Sequence, residues 1–191
     1  MVVRCWEPRD APLLKEAVDS SLEHLRAWMP WAHDDPQPLE AKVELLREFR
    51  GRFDLGQDFV YGIFSADESE AVGGSGFHTR RGEGVFEIGY WISAGRAGQG
   101  FCTEATAALT RVGFEVCEID RIEIRVDPAN AASLAIPRKL GYAEEGTARG
   151  VFHGPDGKPR QNDAIVFALL PGEFERDVEL KAFDAAGERV L

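Results

Sequence analysis

The sequence predicts an α/β fold of the mixed α+β kind, in one domain. A chain of 191 residues that is 44% hydrophobic can bury one sizeable core and is short for two. The spacing of its hydrophobic residues predicts strands and helices in the order β-α-α-β-β-β-α-β-α-β-β. Consecutive strands in the first half favour antiparallel pairing, and the strand–helix–strand order of the second half favours a crossover connection.

The first part of the chain predicts a strand and two helices. Val2–Trp6 is a short apolar strand candidate. Asp10 then resembles a helix N-cap, with Pro12 in the first turn. The helix that follows has apolar residues at helical spacing: Leu14, Val18, Leu22 and Leu25. After a Pro- and Asp-rich turn at 33–38, a second helix has one apolar face: Leu39, Val43, Leu46 and Phe53.

The middle of the chain predicts three strands and the helix after them. The strands are Asp58–Phe64, Ala71–Phe77 and Val85–Ser93. A turn at Arg81–Gly84 links the last two. The helix spans about Phe101–Cys117 and places apolar residues at core spacing: Ala105, Leu109, Val112 and Val116.

The last part predicts three strands around one short helix. The strands are Arg121–Val126, Tyr142–Thr147 and Ala164–Leu170, and the helix is Asn130–Leu140. Pro137 cannot donate to the Ser133 carbonyl, so this helix should kink or be short. We expect one domain over residues 1–170 and a C-terminal extension over 171–191. The extension resembles a hairpin within the same domain, with its turn at Asp184–Gly187.

Composition excludes several classes of function. A net charge of −11 argues against nucleic acid as a partner and suits a cationic amine. Neither a membrane span nor a signal peptide is visible, so we expect no membrane partner and a cytoplasmic location. Cys5, Cys102 and Cys117 have no metal-ligand spacing, so we expect reduced thiols and no metal site.

The stretch Glu87–Thr103 predicts a strand, a glycine loop and a helix start, which together bind phosphate groups. A dinucleotide motif needs a third glycine where this chain has Thr103, and a triphosphate loop needs Lys where it has Phe101. The pyrophosphate of coenzyme A needs only converging backbone N–H groups and glycines that let the chain approach, which Gly98 and Gly100 allow.

Six segments resemble, in order, the GNAT superfamily of acyl-coenzyme A N-acyltransferases, and the RimJ/RimL type most of all. They are LRAWMPWA (25–32), EIGYWIS (87–93), AGQGFCTEA (97–105), RIEIRVDPANAAS (121–133), KLGY (139–142) and the strand 163–170. The resemblance implies a single domain with a central, twisted, mostly antiparallel sheet. It also implies that the sheet is splayed at the acyl-coenzyme A cleft, with helices on both faces.

The resemblance further implies acetyl transfer from acetyl-coenzyme A, or another acyl-coenzyme A, to a primary amine, directly in a ternary complex and without a metal. A protein N-terminus and a small amine such as an antibiotic or polyamine are both open as acceptors. A non-catalytic acyl-coenzyme A-binding or sensor domain is the alternative. Either a monomer or a homodimer is compatible with the sequence.

Cofactor-binding residues are carried over by position. The pyrophosphate loop falls on Gly98, Gln99, Gly100, Phe101, Cys102 and Thr103, and departs from the family pattern at Ala97 and Cys102. Backbone groups of Trp91, Ile92 and Ser93 are expected to pair with the pantetheine arm. Asn130 matches the residue that hydrogen-bonds that arm, although its position also suits a helix N-cap.

Catalysis requires a proton donor for the leaving thiolate and a base for the amine. Ser133 matches the residue that lies near the thioester sulfur in this type, so it is the expected donor. Glu87 is the first candidate for the base, and His153, Asp163 and Glu83 are alternatives. The loop after the first helix carries substrate contacts in this family, so the resemblance implies an acceptor pocket lined by Trp28, Met29, Trp31, Phe77 and Phe152. The alternative is that the aromatic residues of this loop only pin it to the core.

Overall fold

A computed structural model describes residues 1–151 and 163–191. Seven strands form one sheet in the order β1-β2-β3-β4-β5-β7-β6. They are β1 Val2–Cys5, β2 Phe59–Phe64, β3 Ala71–His78, β4 Val85–Ile92, β5 Arg121–Val126, β6 Ala143–Ala148 and β7 Ala164–Leu169. Every pairing is antiparallel except β4 with β5, where the helical crossover predicted from the sequence makes the strands parallel.

Five α-helices accompany this sheet in the described residues. They are α1 Ala11–Asp19, α2 Leu22–Arg26, α3 Leu39–Asp54, α4 Phe101–Glu115 and α5 Ala131–Leu140. The expected mixed α/β architecture is confirmed, and helices pack on both sides of the sheet.

The first predicted helix is two helices, because the chain turns at Ser20 and Ser21. The Ser20 hydroxyl donates back to the Glu16 carbonyl, which ends α1. Ser21 is 2% exposed, and its hydroxyl oxygen accepts from the Ala94 N–H at 2.9 Å. The break therefore ties the start of α2 to the loop that follows β4.

Alternation along the strands divides most of the core into two large clusters on opposite faces of the sheet. We call the side that packs against α4 and α5 the α4 face; its core includes Phe77, Ile88 and Phe167. We call the other side the α1 face; its core includes Trp6 and Leu46. Each residue of β4 therefore points either to the α4 face or to the α1 face.

The C-terminal extension folds back on itself, and part of it packs on the domain. Phe183 and Arg189 form an isolated antiparallel bridge, and the Gly187 N–H donates to the Asp184 carbonyl. Val178 packs against the core of the α4 face. Its carbonyl also accepts from Arg111 of α4 at 2.7 Å.

Candidate active site

A gap opens in the sheet between β4 and β5. Their parallel pairing covers Val85–Glu87 of β4 and Arg121–Glu123 of β5 and ends there. Backbone groups of an antiparallel strand point alternately to its two edges. Since the Ser93 N–H donates to Val72 of β3, the groups of Tyr90 and Ile92 point away from β3, into the gap. An extended pantetheine arm fits such an edge as an added strand.

Of the three residues expected to pair with pantetheine, Ile92 has its backbone groups on this edge. Ser93 is buried, and its N–H is already bonded to β3. Trp91 lies opposite Gly74, and by the same alternation its backbone groups also point to β3. The side chain of Trp91 covers that glycine, because a Cβ at Gly74 would meet the indole at 2.5 Å. The glycine-rich segment 73–76 thus makes room for close packing.

The loop after β4 ends in a helix start suited to an anion. Gly100 is the N-cap of α4 with φ of 93°, and no side chain caps the helix. The Glu104 N–H donates to the Gly100 carbonyl, so the preceding N–H groups of 101–103 have no carbonyl within the helix. Gly98 also has positive φ, and nothing lies within 4 Å of where its Cβ would be. A pyrophosphate can approach this backbone closely.

The other predicted loop residues surround this helix start. Phe101 packs against a small buried cluster that contains Ile63 and Val72, which holds the first turn of α4 on the sheet. The Gln99 side chain donates to the Gly95 carbonyl at 3.0 Å and braces the loop. Burial raises the pKa of the Cys102 thiol to about 12, so this thiol stays protonated near neutral pH and is a weak nucleophile.

Asn130 and Ser133 lie at the start of α5. The Asn130 side-chain oxygen accepts from the Ser133 N–H at 3.0 Å, so Asn130 is the N-cap of this helix. This cap fixes the first turn and with it the position of the Ser133 hydroxyl. The cap uses the oxygen of the Asn130 amide.

A hydrogen-bonded pair joins Ser133 to Tyr90 of β4. The Ser133 hydroxyl donates to the Tyr90 hydroxyl at 3.1 Å, and the Tyr90 hydroxyl donates to the Ser133 carbonyl at 3.1 Å. In an uninterrupted helix that carbonyl would accept from residue 137, which is Pro137 and has no N–H. Pro137 therefore leaves a carbonyl for Tyr90 to bind. Burial raises the pKa of Tyr90 far above neutrality, so its hydroxyl remains a donor.

Glu87 lies at the closed end of the gap and is held by arginines. It is 5% exposed, and its carboxylate binds Arg80, Arg81 and, at 3.6 Å, Arg125. Burial opposes ionisation, but the hydrogen bonds and charges of Arg80 and Arg81 outweigh it and keep the pKa of Glu87 below its usual range. A carboxylate held in this way is a weak proton acceptor, so the geometry argues against Glu87 as the base.

We expect Glu87→Gln to keep the acid limb of the pH–rate profile and to lower the free energy of unfolding by about 1–2 kcal/mol at pH 7, since charged hydrogen bonds are lost. Because the folded-state pKa is depressed, this stabilisation is present above the ordinary carboxyl pKa and is lost as the pH falls through the folded value. Denaturant unfolding at pH 7 and at pH 3 measures the difference. A pH–rate profile that lost its acid limb would restore Glu87 as the base.

The predicted acceptor residues differ in where they lie. Trp28 and Trp31 are 37% and 40% exposed, and Trp31 meets Trp91 edge-on with ring centroids 5.8 Å apart. Met29 packs against the core of the α1 face. Phe152 lies outside the described residues, and so does His153, which was expected as a candidate base.

Phe77 is the exception among the described acceptor residues, and its expected place in the pocket is wrong. It is 1% exposed and packs on Phe86 and Tyr61 inside the core of the α4 face. Its side chain points into the core because strand alternation places it beside Ile88.

Sequence reasoning missed the pair Asp58 and His78. The His78 Nδ1 lies 2.9 Å from an Asp58 carboxylate oxygen, and both side chains are 22% exposed. The two residues are 20 positions apart and meet only because β2 and β3 pair. Within the described ranges 1–151 and 163–191, no group of side chains could hold a metal ion, and no helix could cross a membrane.

A GNAT acetyltransferase domain model matches residues 1–143. The [ribosomal protein uS5]-alanine N-acetyltransferase of Escherichia coli (strain K12) is 29% identical over 154 residues, which are 78% of each chain. Mycobacterium smegmatis RimJ, solved with a coenzyme A disulfide, superposes with a TM-score of 0.77 at 24% identity and covers 92% of this chain and 84% of its own.

RimL, the ribosomal L7/L12 alpha-N-protein acetyltransferase, was solved in complex with coenzyme A. It has a TM-score of 0.77 at 20% identity, and the match covers 88% of this chain and 93% of RimL. These structures share the fold, and the domain model covers most of the chain. The splayed strands and the uncapped start of α4 suit the cofactor of that family. The chain therefore belongs to the GNAT acetyltransferase family and is an acetyltransferase that uses acetyl-coenzyme A.

Proposed function

We propose that this acetyltransferase modifies the N-terminal amine of a protein or peptide, by direct transfer in a ternary complex. The observation that carries the proposal is the exposed aromatic segment Trp28–Trp31, which contacts β4 on the α1 face, opposite the helix that binds pyrophosphate. Donor and acceptor then reach β4 from opposite sides. The Escherichia coli relative named for acetylating the alanine of a ribosomal protein supports the same class of acceptor.

The surface around this segment suits an ammonium group at the end of a peptide. Exposed indole faces attract cations, and the chain carries a net charge of −11. An extended peptide end can lie along the α1 face and deliver its amine to β4. A folded protein presents such an end without entering a closed pocket.

The proposed chemistry uses groups at the gap between β4 and β5. Bound acetyl-coenzyme A supplies an activated acetyl thioester. Tyr90 and Ile92 present backbone groups to the pantetheine arm, and an N–H on this edge of β4 stabilises the oxyanion. The Ser133 hydroxyl, held by Tyr90 and by the Asn130 cap, donates its proton to the departing sulfur.

Peptide acetylation tests the acceptor class. Peptides with a free N-terminus are incubated with enzyme and acetyl-coenzyme A, and mass spectrometry locates the added acetyl group. The matched control is the same peptide with a blocked N-terminus and an internal lysine. We expect acetylation at the N-terminal amine alone. Turnover of polyamines or aminoglycosides, with none of any peptide, would assign a small-amine acceptor.

A further inference from the structure

A histidine and a carboxylate form a pair on the α1 face, beside the gap. His78 is the last residue of β3 and lies opposite Glu87 of β4. Its ring leans over two facing glycines: a Cβ at Gly89 would lie 3.2 Å from Nε2, and one at Gly76 would lie 3.6 Å from Cε1. Because Gly89 has no side chain, the imidazole reaches the backbone of the strand along which the thioester is held.

Asp58 determines which nitrogen of the ring can take a proton. An ionised carboxylate only accepts hydrogen bonds, so the Nδ1–H of His78 donates to Asp58, at 2.9 and 3.2 Å to its two oxygens. The neutral ring then has its lone pair on Nε2, the nitrogen nearest Gly89. A carboxylate that orients an imidazole in this way also stabilises the imidazolium that forms.

The carboxylates near His78 are already engaged by other groups, which leaves His78 as the candidate base. Glu87, directly across the ladder, is bound by Arg80 and Arg81, with Arg125 of β5 behind it. Asp58, the residue just before β2, supplies the other charge at the ring. Both carboxylate oxygens of Glu87 are therefore bound by arginines. The Nε2 edge of His78, by contrast, lies on the acceptor side of the sheet.

We propose that His78 is the general base that removes the proton from the acceptor amine, with Asp58 as its positioning residue. This inference rests on the proposed function, because it places the amine on the α1 face. As the C–N bond forms, Nε2 takes one proton from the neutral amine. As the C–S bond breaks, Ser133 gives one proton to the sulfur and regains one from the His78 imidazolium through water.

The test compares His78→Gln with Ser69→Ala, a control that changes an exposed side chain in the turn before β3. For any acceptor that the wild type acetylates, we expect His78→Gln to lower kcat/KM by about 100-fold, the size of a general-base contribution. The Kd for acetyl-coenzyme A and the melting temperature should stay close to wild type. The Ser69→Ala variant should keep full activity.

Two further variants separate catalysis from structure. Asp58→Asn keeps a hydrogen-bonding group beside the ring but loses its charge, and we expect a fall of about 10-fold in kcat/KM. In His78→Gly, added imidazole should restore part of the lost turnover, which a purely structural role would not allow. Full turnover of folded His78→Gln, or a loss that imidazole never restores, would overturn the assignment. A wild type inactive on every amine would instead refute the proposed function.

Discussion

Ser133→Ala is expected to lower kcat by about 100- to 1000-fold with little change in the Kd for acetyl-coenzyme A, because the departing sulfur loses its proton donor. The substitution keeps the Ser133 N–H, so the Asn130 cap and the first turn of α5 should survive. Stopped-flow or steady-state assays of thiol release measure kcat, and calorimetry measures the Kd.

A matched control for this change is Ser69→Ala, which removes an exposed hydroxyl in the turn before β3. It should keep wild-type turnover. Tyr90→Phe leaves the ring in place but loses both hydrogen bonds to Ser133, and a fall of about 10-fold is expected if Tyr90 orients the hydroxyl. Full activity of Ser133→Ala would show that water or another group protonates the sulfur.

Gly100→Val is expected to raise the Kd for acetyl-coenzyme A by about 100-fold, which corresponds to about 2.7 kcal/mol. Gly100 has φ of 93°, which a β-branched residue adopts only with strain. Relief of that strain would turn the first N–H groups of α4 away from the pyrophosphate. The thermal shift that saturating acetyl-coenzyme A produces in the wild type should be nearly absent in the variant.

Gly187→Val is the control that separates the effect of backbone strain from the loss of cofactor binding. Gly187 has φ of 82° in the C-terminal turn, and nothing lies within 4 Å of where its Cβ would be. The backbone strain in Gly187→Val is similar to that in Gly100→Val, but Gly187 lies in the C-terminal extension. The free energy of unfolding should therefore fall, while the Kd for acetyl-coenzyme A stays at its wild-type value. Unchanged affinity in Gly100→Val would mean that this helix start does not hold the cofactor.

The cofactor side of the site was the more predictable part. Gly98, Gly100, Asn130 and Ser133 lie within short segments whose local order already implies a strand, a turn and a helix start. Local geometry of this kind depends on neighbours in the chain. The structure has the strand, the loop and both helix starts in the predicted order, with the strands parted at Glu87. The break at Ser21 was missed because its partner, Ala94, is 73 residues away.

The acceptor side depended on contacts that no local pattern shows. Phe77 was expected in the acceptor pocket, but the pairing of β3 with β4 places it in the core. Glu87 was expected to be a base, yet arginines from the β3–β4 turn and from β5 surround it. Asp58 and His78 carried no recognisable motif, since they come together only through the register of β2 and β3.

Pro137 shows how the local sequence and the tertiary structure combine. The sequence alone determined that the Ser133 carbonyl would lack its helical partner, just as it determined the order of the elements, the glycine loop and the cofactor class. Only the tertiary structure decided that Tyr90 binds this carbonyl, and which side chains face the acceptor. The physical reason is range: backbone preferences act over a few residues, whereas strand register and burial bring together residues far apart in the chain.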